Sequence, residues 1–262
     1  MSVPSDSPIV RDGKSIILAH DHGLEHGPAA FSGVEDRLDP TTVFDMATHD
    51  AVTAFAVQKG LAEQYYPSYD DQVNLLAKCN GSSSLWMGEP YSPQTWSVEY
   101  AAEMGADAIG YTVYPGTNTE PQMFEDFQEV QEEAREEGLP VAMWSYPRGQ
   151  AIKEHRKPET IAYATRIGLE LGADLVKVKY PRSGDAMEWA VDAAGNTNVV
   201  LSGGSKTSDY EFLSTVETAM DAGASGLAVG RNVWQRDDPT AILDALEKVV
   251  YEGQSAEDAL EE

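Results

Sequence analysis

The feature that most constrains this chain is a repeat. Short apolar or β-branched runs recur along the whole sequence, each followed by a stretch with amphipathic helical character. Eight runs read as strands: SIILAHD (15–21), AFAVQKG (54–60), SSLWMG (83–88), DAIGYTVYP (107–115), LPVAMWSYP (139–147), DLVKVKYP (174–181), NVVLSGG (198–204) and SGLAVGR (225–231). Helices are predicted over 40–49, 69–78, 97–104, 121–137, 158–171, 185–194, 209–222 and 239–251. Pro40, Pro121, Pro158 and Pro239 fall where a first helical turn accepts a residue without an N–H. Three helices run into near-identical exits, EMGADAIG, ELGADLVK and DAGASGLAV, each placing a glycine between helix and following strand. In the 121–137 stretch Met123, Phe124, Phe127, Val130 and Ala134 share one helical face, with carboxylates on the rest. Eight strand–helix units predict an α/β chain, a (β/α)8 TIM barrel occupying 1–262 as a single domain. A doubly wound sheet is the competing architecture, but no GxGxxG follows the first strand.

Charge narrows the partners. The chain carries 44 acidic and 18 basic side chains, a formal charge of −26. Such a field repels nucleic acid and anionic lipid, so neither is expected as a partner. It also destabilises the folded state by self-repulsion unless salt shortens the Debye length from ~30 Å at 0.01 M to ~3 Å at 1 M. A salt-rich cytoplasm is the predicted setting. The one cysteine, Cys79, excludes an intramolecular disulfide framework. The apolar runs are too short to span a bilayer, and MSVPSDSPIVRDGK lacks the basic and apolar regions of a secretory signal. The acidic tail, 252–262, is expected to be a frayed helix or an interface element.

In a barrel the chemistry belongs at the C-terminal ends of the strands. In DLVKVKYP a period of two sets Lys177 and Lys179 on one face and the valines on the other. Two inward ammoniums repel, and burial disfavours their charge, which makes the deeper Lys177 a candidate Schiff-base nucleophile. Ion pairing with carboxylates would explain the same pattern. Trp144 and Tyr146 share the inward face of the preceding strand. Tyr146 is a candidate general acid or base, or else a packing aromatic, and Arg148 beyond it is placed to meet an anion. Asp21 reaches the mouth from the first strand, while His20 points away. A metal bound by His20, Asp21, His22 and His26 is discounted, because adjacent strand residues face opposite ways. Ser202, Gly203 and Gly204 with Lys206, and Gly230 with Arg231, form two glycine-plus-cation turns suited to phosphate.

These segments also resemble a known family, the archaeal-type class I fructose-1,6-bisphosphate aldolases of the DeoC/FbaB group. The likeness runs from GKSIILAHDHGLEHGP (13–28) through WSYPRG (144–149), GADLVKVKY (172–180) and SGGSKT (202–207) to AVGRNVWQRDDP (228–239). The resemblance implies a barrel in a large homo-oligomer, with no metal and no other cofactor. It implies reversible cleavage of fructose 1,6-bisphosphate to dihydroxyacetone phosphate and glyceraldehyde 3-phosphate, in glycolysis or gluconeogenesis. It places the Schiff-base lysine on Lys177, the acid/base on Tyr146 and the assisting aspartate on Asp21. Trp144, Arg148, Lys179, His26, Ser202–Gly204, Lys206, Gly230 and Arg231 fall on substrate contacts. SGGSK stands where relatives read SGGPK, and KYPRSGD where they read KYTGD, so the loop after the lysine strand differs. Two other readings compete. One is a related barrel making 2-amino-3,7-dideoxy-D-threo-hept-6-ulosonate, which shares the DHG, YPRG and lysine signatures. The other is a non-catalytic phosphosugar-binding barrel. LEHGP and RNVWQRDD favour the bisphosphate aldolase.

Overall fold

The computed structural model describes residues 2–261. Eight parallel strands, β1 (Ser15–Ala19), β2 (Ala54–Val57), β3 (Leu75–Lys78), β4 (Ala108–Val113), β5 (Val141–Ser145), β6 (Leu175–Lys179), β7 (Asn198–Ser202) and β8 (Gly226–Val229), close into a barrel in chain order. The outer layer contains α1 (His22–His26), α2 (Pro40–Ala47), α3 (Lys59–Tyr65), α4 (Val98–Glu103), α5 (Glu120–Glu136), α6 (Pro158–Glu170), α7 (Gly184–Ala193), α8 (Asp209–Asp221), α9 (Arg231–Trp234), α10 (Pro239–Glu247) and α11 (Ala256–Glu261). No helix among the described residues is long and apolar enough to cross a membrane.

Strand periodicity divides the core in two. Small inward residues, Ala54, Ala56, Ala108, Ala142 and Ala228, keep the bore narrow, and Ile17, Leu76, Leu175 and Val200 fill it. The alternate residues, such as Leu18, Phe55, Ile109, Val176 and Val178, pack outward against the helices. The N-terminal segment plugs the bottom with Val3, Ile9 and Val10. The Val3 N–H donates to Asn198 Oδ1 at 3.0 Å, and Ser15 Oγ donates to the Ile9 carbonyl at 2.7 Å.

The repeated GAD exits have a structural reason. Gly105 and Gly172 sit at φ +89° and +80°, which an L side chain rarely adopts. The aspartates that follow tie down the preceding strand. Asp107 accepts the Leu75 N–H at 2.8 Å, and Asp174 accepts the Val141 N–H at 3.0 Å.

The third strand and the second predicted helix depart from the sequence expectation, and α1, α3 and α9 are additional to it. The third strand is Leu75–Lys78, not 83–88, and the stretch 69–78 is not a helix. Pro67 lies in a 3-10 turn, Tyr66–Ser68, directly after α3. The helix therefore precedes that proline instead of following it, and LLAK becomes free to pair with both β2 and β4. Residues 83–88 lie in the loop above β3, with Leu85, Trp86 and Met87 exposed. The acidic tail is a docked helix: Ala256 and Ala259 are buried, and the Ala256 N–H donates to Glu217 Oε2 at 2.9 Å.

Candidate active site

The C-terminal mouth of the barrel opens into a cavity of about 600 Å³. β6 delivers Lys177 and Lys179 to it, because Leu175 and both lysines face inward while Val176 and Val178 join the outer core. Lys177 is 5% exposed, and its Nζ lies 4.8 Å from the centre of the Trp144 ring, its register partner on β5. Burial is the main force on this amine and lowers its pKa to about 8. Lys78 pushes in the same direction, and Asp21 and Glu25 oppose it. At neutral pH a usable fraction is the free base. Lys179, nearer the rim, is also brought to about 8, by burial and then by the charges of Arg148 and Arg156.

β1 supplies the carboxylate. Asp21 is buried and lines the cavity, whereas His20 turns outward between Phe31, Phe55 and Trp234. Burial works against ionisation of Asp21, and the neighbouring groups His22, Lys177 and Lys78 hold it below the usual range. His22 is itself neutral near pH 7, because burial lowers it to about 3, so the two ammoniums carry that effect. His22 Nδ1 lies 3.4 Å from Asp21 Oδ1. Tyr146, at the end of β5, points its hydroxyl toward Ser202 on β7 at 3.4 Å. Burial raises this phenol far above its ordinary value, so it stands protonated as a donor. The indole Nε1 of Trp144 is buried without a partner among the described residues.

Next to β6, the ends of β7 and β8 line the cavity with Ser202, Gly203, Gly204, Gly230 and Arg231. A Cβ at Gly230 would meet the Ala19 carbonyl oxygen at 2.7 Å, so only glycine fits against β1 there. The Gly203 N–H is already used, donating to the Ala228 carbonyl at 3.3 Å. Lys206 departs from expectation. It is exposed, does not line the cavity, and its Nζ donates to the Gln235 carbonyl at 2.7 Å. The turn after Gly204 carries it outward. Arg156, from the loop after β5, lines the cavity instead, beside Arg148, with exposed His26 on the lip. Arg148 also lies 4.2 Å from the Tyr114 ring centre. In the altered loop, Arg182 is exposed at φ +75°, and Ser183 caps α7 by accepting from the Ala186 N–H at 3.3 Å.

Four residues of the site escaped the sequence reading. Lys78 was hidden by the misplaced third strand. Glu25 lay inside a motif used only for its likeness. Arg156 sits in a loop without periodicity. Asn232, fully buried in VGRN, donates to the Gly203 and Ser205 carbonyls at 2.7 and 2.9 Å and accepts the Thr207 N–H at 3.0 Å. It thereby holds the glycine turn in shape.

Fold and mouth together define a class: a barrel that presents a lysine amine, close to its free-base form, to a carbonyl compound. The chain belongs to the DeoC/LacD family of aldolases, which it matches over residues 15–236. It is similar to fructose-bisphosphate aldolase class 1 of Halobacterium salinarum, 65% identical over 97% of each chain. It is 34% identical, over 97% of this chain and 93% of the relative, to 2-amino-3,7-dideoxy-D-threo-hept-6-ulosonate synthase 1 of Archaeoglobus fulgidus. A crystal structure of an archaeal fructose 1,6-bisphosphate aldolase superposes with a TM-score of 0.90 at 46% identity, covering 94% of this chain and 97% of that one. A second archaeal aldolase structure, 45% identical with a TM-score of 0.89 over 93% and 96% of the chains, has its catalytic lysine covalently bound to the carbinolamine intermediate of the substrate.

Proposed function

We propose that this chain is a class I fructose-bisphosphate aldolase that reversibly cleaves fructose 1,6-bisphosphate to dihydroxyacetone phosphate and glyceraldehyde 3-phosphate. The observation that carries this reading is the Lys177 amine, buried beside Asp21 at the mouth and brought to about 8 by its surroundings. In the cleavage direction the free amine attacks the C2 ketone. The resulting carbinolamine loses water to give an iminium, with Asp21 handling the protons. The iminium accepts the electron pair released when the C3–C4 bond breaks, once Tyr146 has taken the C4 hydroxyl proton. The phenol can take that proton only as phenolate, the form that burial disfavours in the resting site and that the adjacent iminium cation favours once it has formed. Glyceraldehyde 3-phosphate leaves, C3 of the enamine is reprotonated by Tyr146, and hydrolysis frees dihydroxyacetone phosphate and Lys177.

The two phosphates anchor the open-chain sugar at its ends, turning binding energy into alignment. One is assigned to the turn of Ser202–Gly204 with Gly230 and Arg231, the other to Arg148, Arg156 and Lys179, with His26 on the lip. Borohydride trapping in the presence of dihydroxyacetone phosphate tests the nucleophile. A stable adduct lost in Lys177→Ala is expected, and an adduct surviving that substitution overturns the assignment. The aminodeoxyheptulosonate reading is the weaker one, supported by 34% identity against 65%. Release of triose phosphate from fructose 1,6-bisphosphate in a coupled assay separates the two.

The net charge of −26 supports work in a salt-rich cytoplasm, where counter-ions screen the repulsion. A thermal midpoint that rises with KCl is expected there, and a flat profile contradicts it. A homo-oligomer is proposed as the working form, to be checked by light scattering in molar salt.

A further inference from the structure

Two charged side chains at the mouth have no part in the steps above. Lys78, at the end of β3, is fully buried, and its Nζ donates to the Asn80 carbonyl and to Asn80 Oδ1 at 2.6 and 2.8 Å. Asn80 is itself fixed, donating through Nδ2 to the Ser92 and Thr112 carbonyls at 2.9 and 2.8 Å. The Lys78 ammonium therefore has a fixed position, and that position is active. Its Nζ stands 5.6 Å from the centre of the same Trp144 ring that lies 4.8 Å from Lys177 Nζ. From the other side Glu25 Oε1 approaches Lys78 Nζ to 4.0 Å, with 20% of the Glu25 side chain exposed and its carboxyl lining the cavity.

We infer that Glu25 and Lys78 form a counter-charge pair that positions a proton, governing when the Lys177 amine is free to attack. Both act through Lys177 and neither needs to touch the sugar, so they are positioning residues for the proposed aldolase reaction. The inference rests on that reading.

The physical logic is Coulombic. A fixed positive charge near an ammonium favours its deprotonation, and a carboxylate near it favours retention of the proton. Lys78 therefore pushes Lys177 toward the reactive form and Glu25 restrains it. The groups facing Lys177 are Asp21 after β1, Glu25 and the neutral His22 from α1 and Lys78 from β3, with Tyr146 after β5 and Ser202 on β7 as neutral neighbours. Those facing Glu25 are Asp21, Lys78, Lys177 and Arg148, together with the Tyr114 hydroxyl beyond β4. Burial and the adjacent Asp21 raise Glu25 to about 7, so its charge changes within the working range of pH. As Glu25 takes up a proton, Lys78 is left uncompensated and Lys177 sheds its own more readily.

A purely structural pair would lose stability or activity when altered, without ordered movement of a pH profile. The test reads the pH dependence of borohydride-trapped adduct formation with dihydroxyacetone phosphate, in full-length protein at molar KCl. Glu25→Gln is expected to move the acid limb about one pH unit lower, and Lys78→Met about one unit higher. Above about pH 7, where Glu25 is charged in the unaltered protein, trapping on that limb should be up to about tenfold faster in the first variant, and it should be about tenfold slower in the second. The double variant should return close to the original profile. Unshifted limbs, or shifts of the same sign, overturn the inference. Glu25, partly exposed on a short helix, carries the test alone should Lys78→Met fail to fold, and an unshifted limb in Glu25→Gln then suffices to overturn it. An absence of any adduct in the unaltered protein sinks the aldolase reading itself, a distinct outcome.

Discussion

β3 and β6 each carry an inward lysine toward the C-terminal mouth, Lys78 and Lys177, and the two amines lie over the same indole. Their surroundings nonetheless differ in kind. Lys78 donates its N–H groups to Asn80, and a polar network running into β4 locks its position. Lys177 has no such clamp and opens onto the cavity. Burial lowers both, yet a lysine whose N–H groups are held by carbonyl acceptors stays an ammonium. A lysine facing empty space can lose its proton and use the lone pair. Nucleophilicity here is decided by the partners a strand end provides, more than by residue type or depth.

The largest break in that comparison is removal of one amine or the other. Lys177→Ala is expected to abolish adduct formation and to lower turnover by on the order of 10⁴-fold or more. Lys78→Met should still form the adduct. Mass spectrometry of the borohydride-reduced protein distinguishes the two, and an adduct on residue 78 would reverse the assignment. The pH dependence follows from the same contrast. Trapping requires free Lys177, so its rate should climb to a plateau above about pH 8, by less than tenfold per unit near pH 7, where Glu25 takes up its own proton. A limb near 10.5, the ordinary lysine value, would mean that the mouth exerts no net effect.

Tyr146→Phe comes next. It removes the phenolic proton and leaves the β5 ring in place beside Lys179, whose Nζ lies 5.7 Å from its centre. Cleavage should fall by about 10²–10⁴-fold, with Schiff-base trapping retained. Stopped-flow or quench measurements of adduct against triose release separate the two steps. A variant with full turnover would leave Tyr146 a packing residue.

The same pair of strands shows what could be read from residues alone. β6 was legible because VKVK alternates cleanly and ends at a proline, so both inward lysines followed from a period of two. β3 was not. Its four residues, Leu75–Lys78, carry no alternation, and another apolar run, Leu85–Met87, follows shortly after. What selects LLAK is pairing at both edges, Phe55 with Leu75 and Leu76 with Ala108, which no single segment encodes. Lys78 disappeared with its strand. Glu25 and Arg156 depend on how the loops after β1 and β5 fold back over the mouth. Lys206 was drawn in by the glycines before it, but the turn that Asn232 pins sends its stem outward.

Asn80 offers a sharper, smaller test. Asn80→Ala removes the side-chain half of the clamp on Lys78 and leaves the Thr112 N–H without its acceptor, 2.7 Å away in the intact protein. Loss of that buried network should cost about 3 kcal/mol, read as a lower denaturation midpoint at fixed KCl. Freed from one acceptor, Lys78 gains room to move toward the cavity. Unchanged stability would show that the polar network does not hold β3 to β4.

The smallest effect is expected from a third lysine, outside the barrel. Lys206 Nζ rests on the Gln235 carbonyl at the surface, while Arg231 lines the cavity one strand away. If partners and placement decide function, Lys206→Ala should change KM for fructose 1,6-bisphosphate by less than about twofold, since an exposed hydrogen bond contributes little. Arg231→Ala should raise KM by about tenfold or more, because a charge-assisted bond to phosphate is lost from a partly enclosed site. Measuring both in molar KCl keeps the general field of the protein screened, so the difference reports local contacts. Equal effects would mean that the loop after β7 swings Lys206 inward when substrate binds, and the contrast between clamped and open lysines would then extend to one that changes sides.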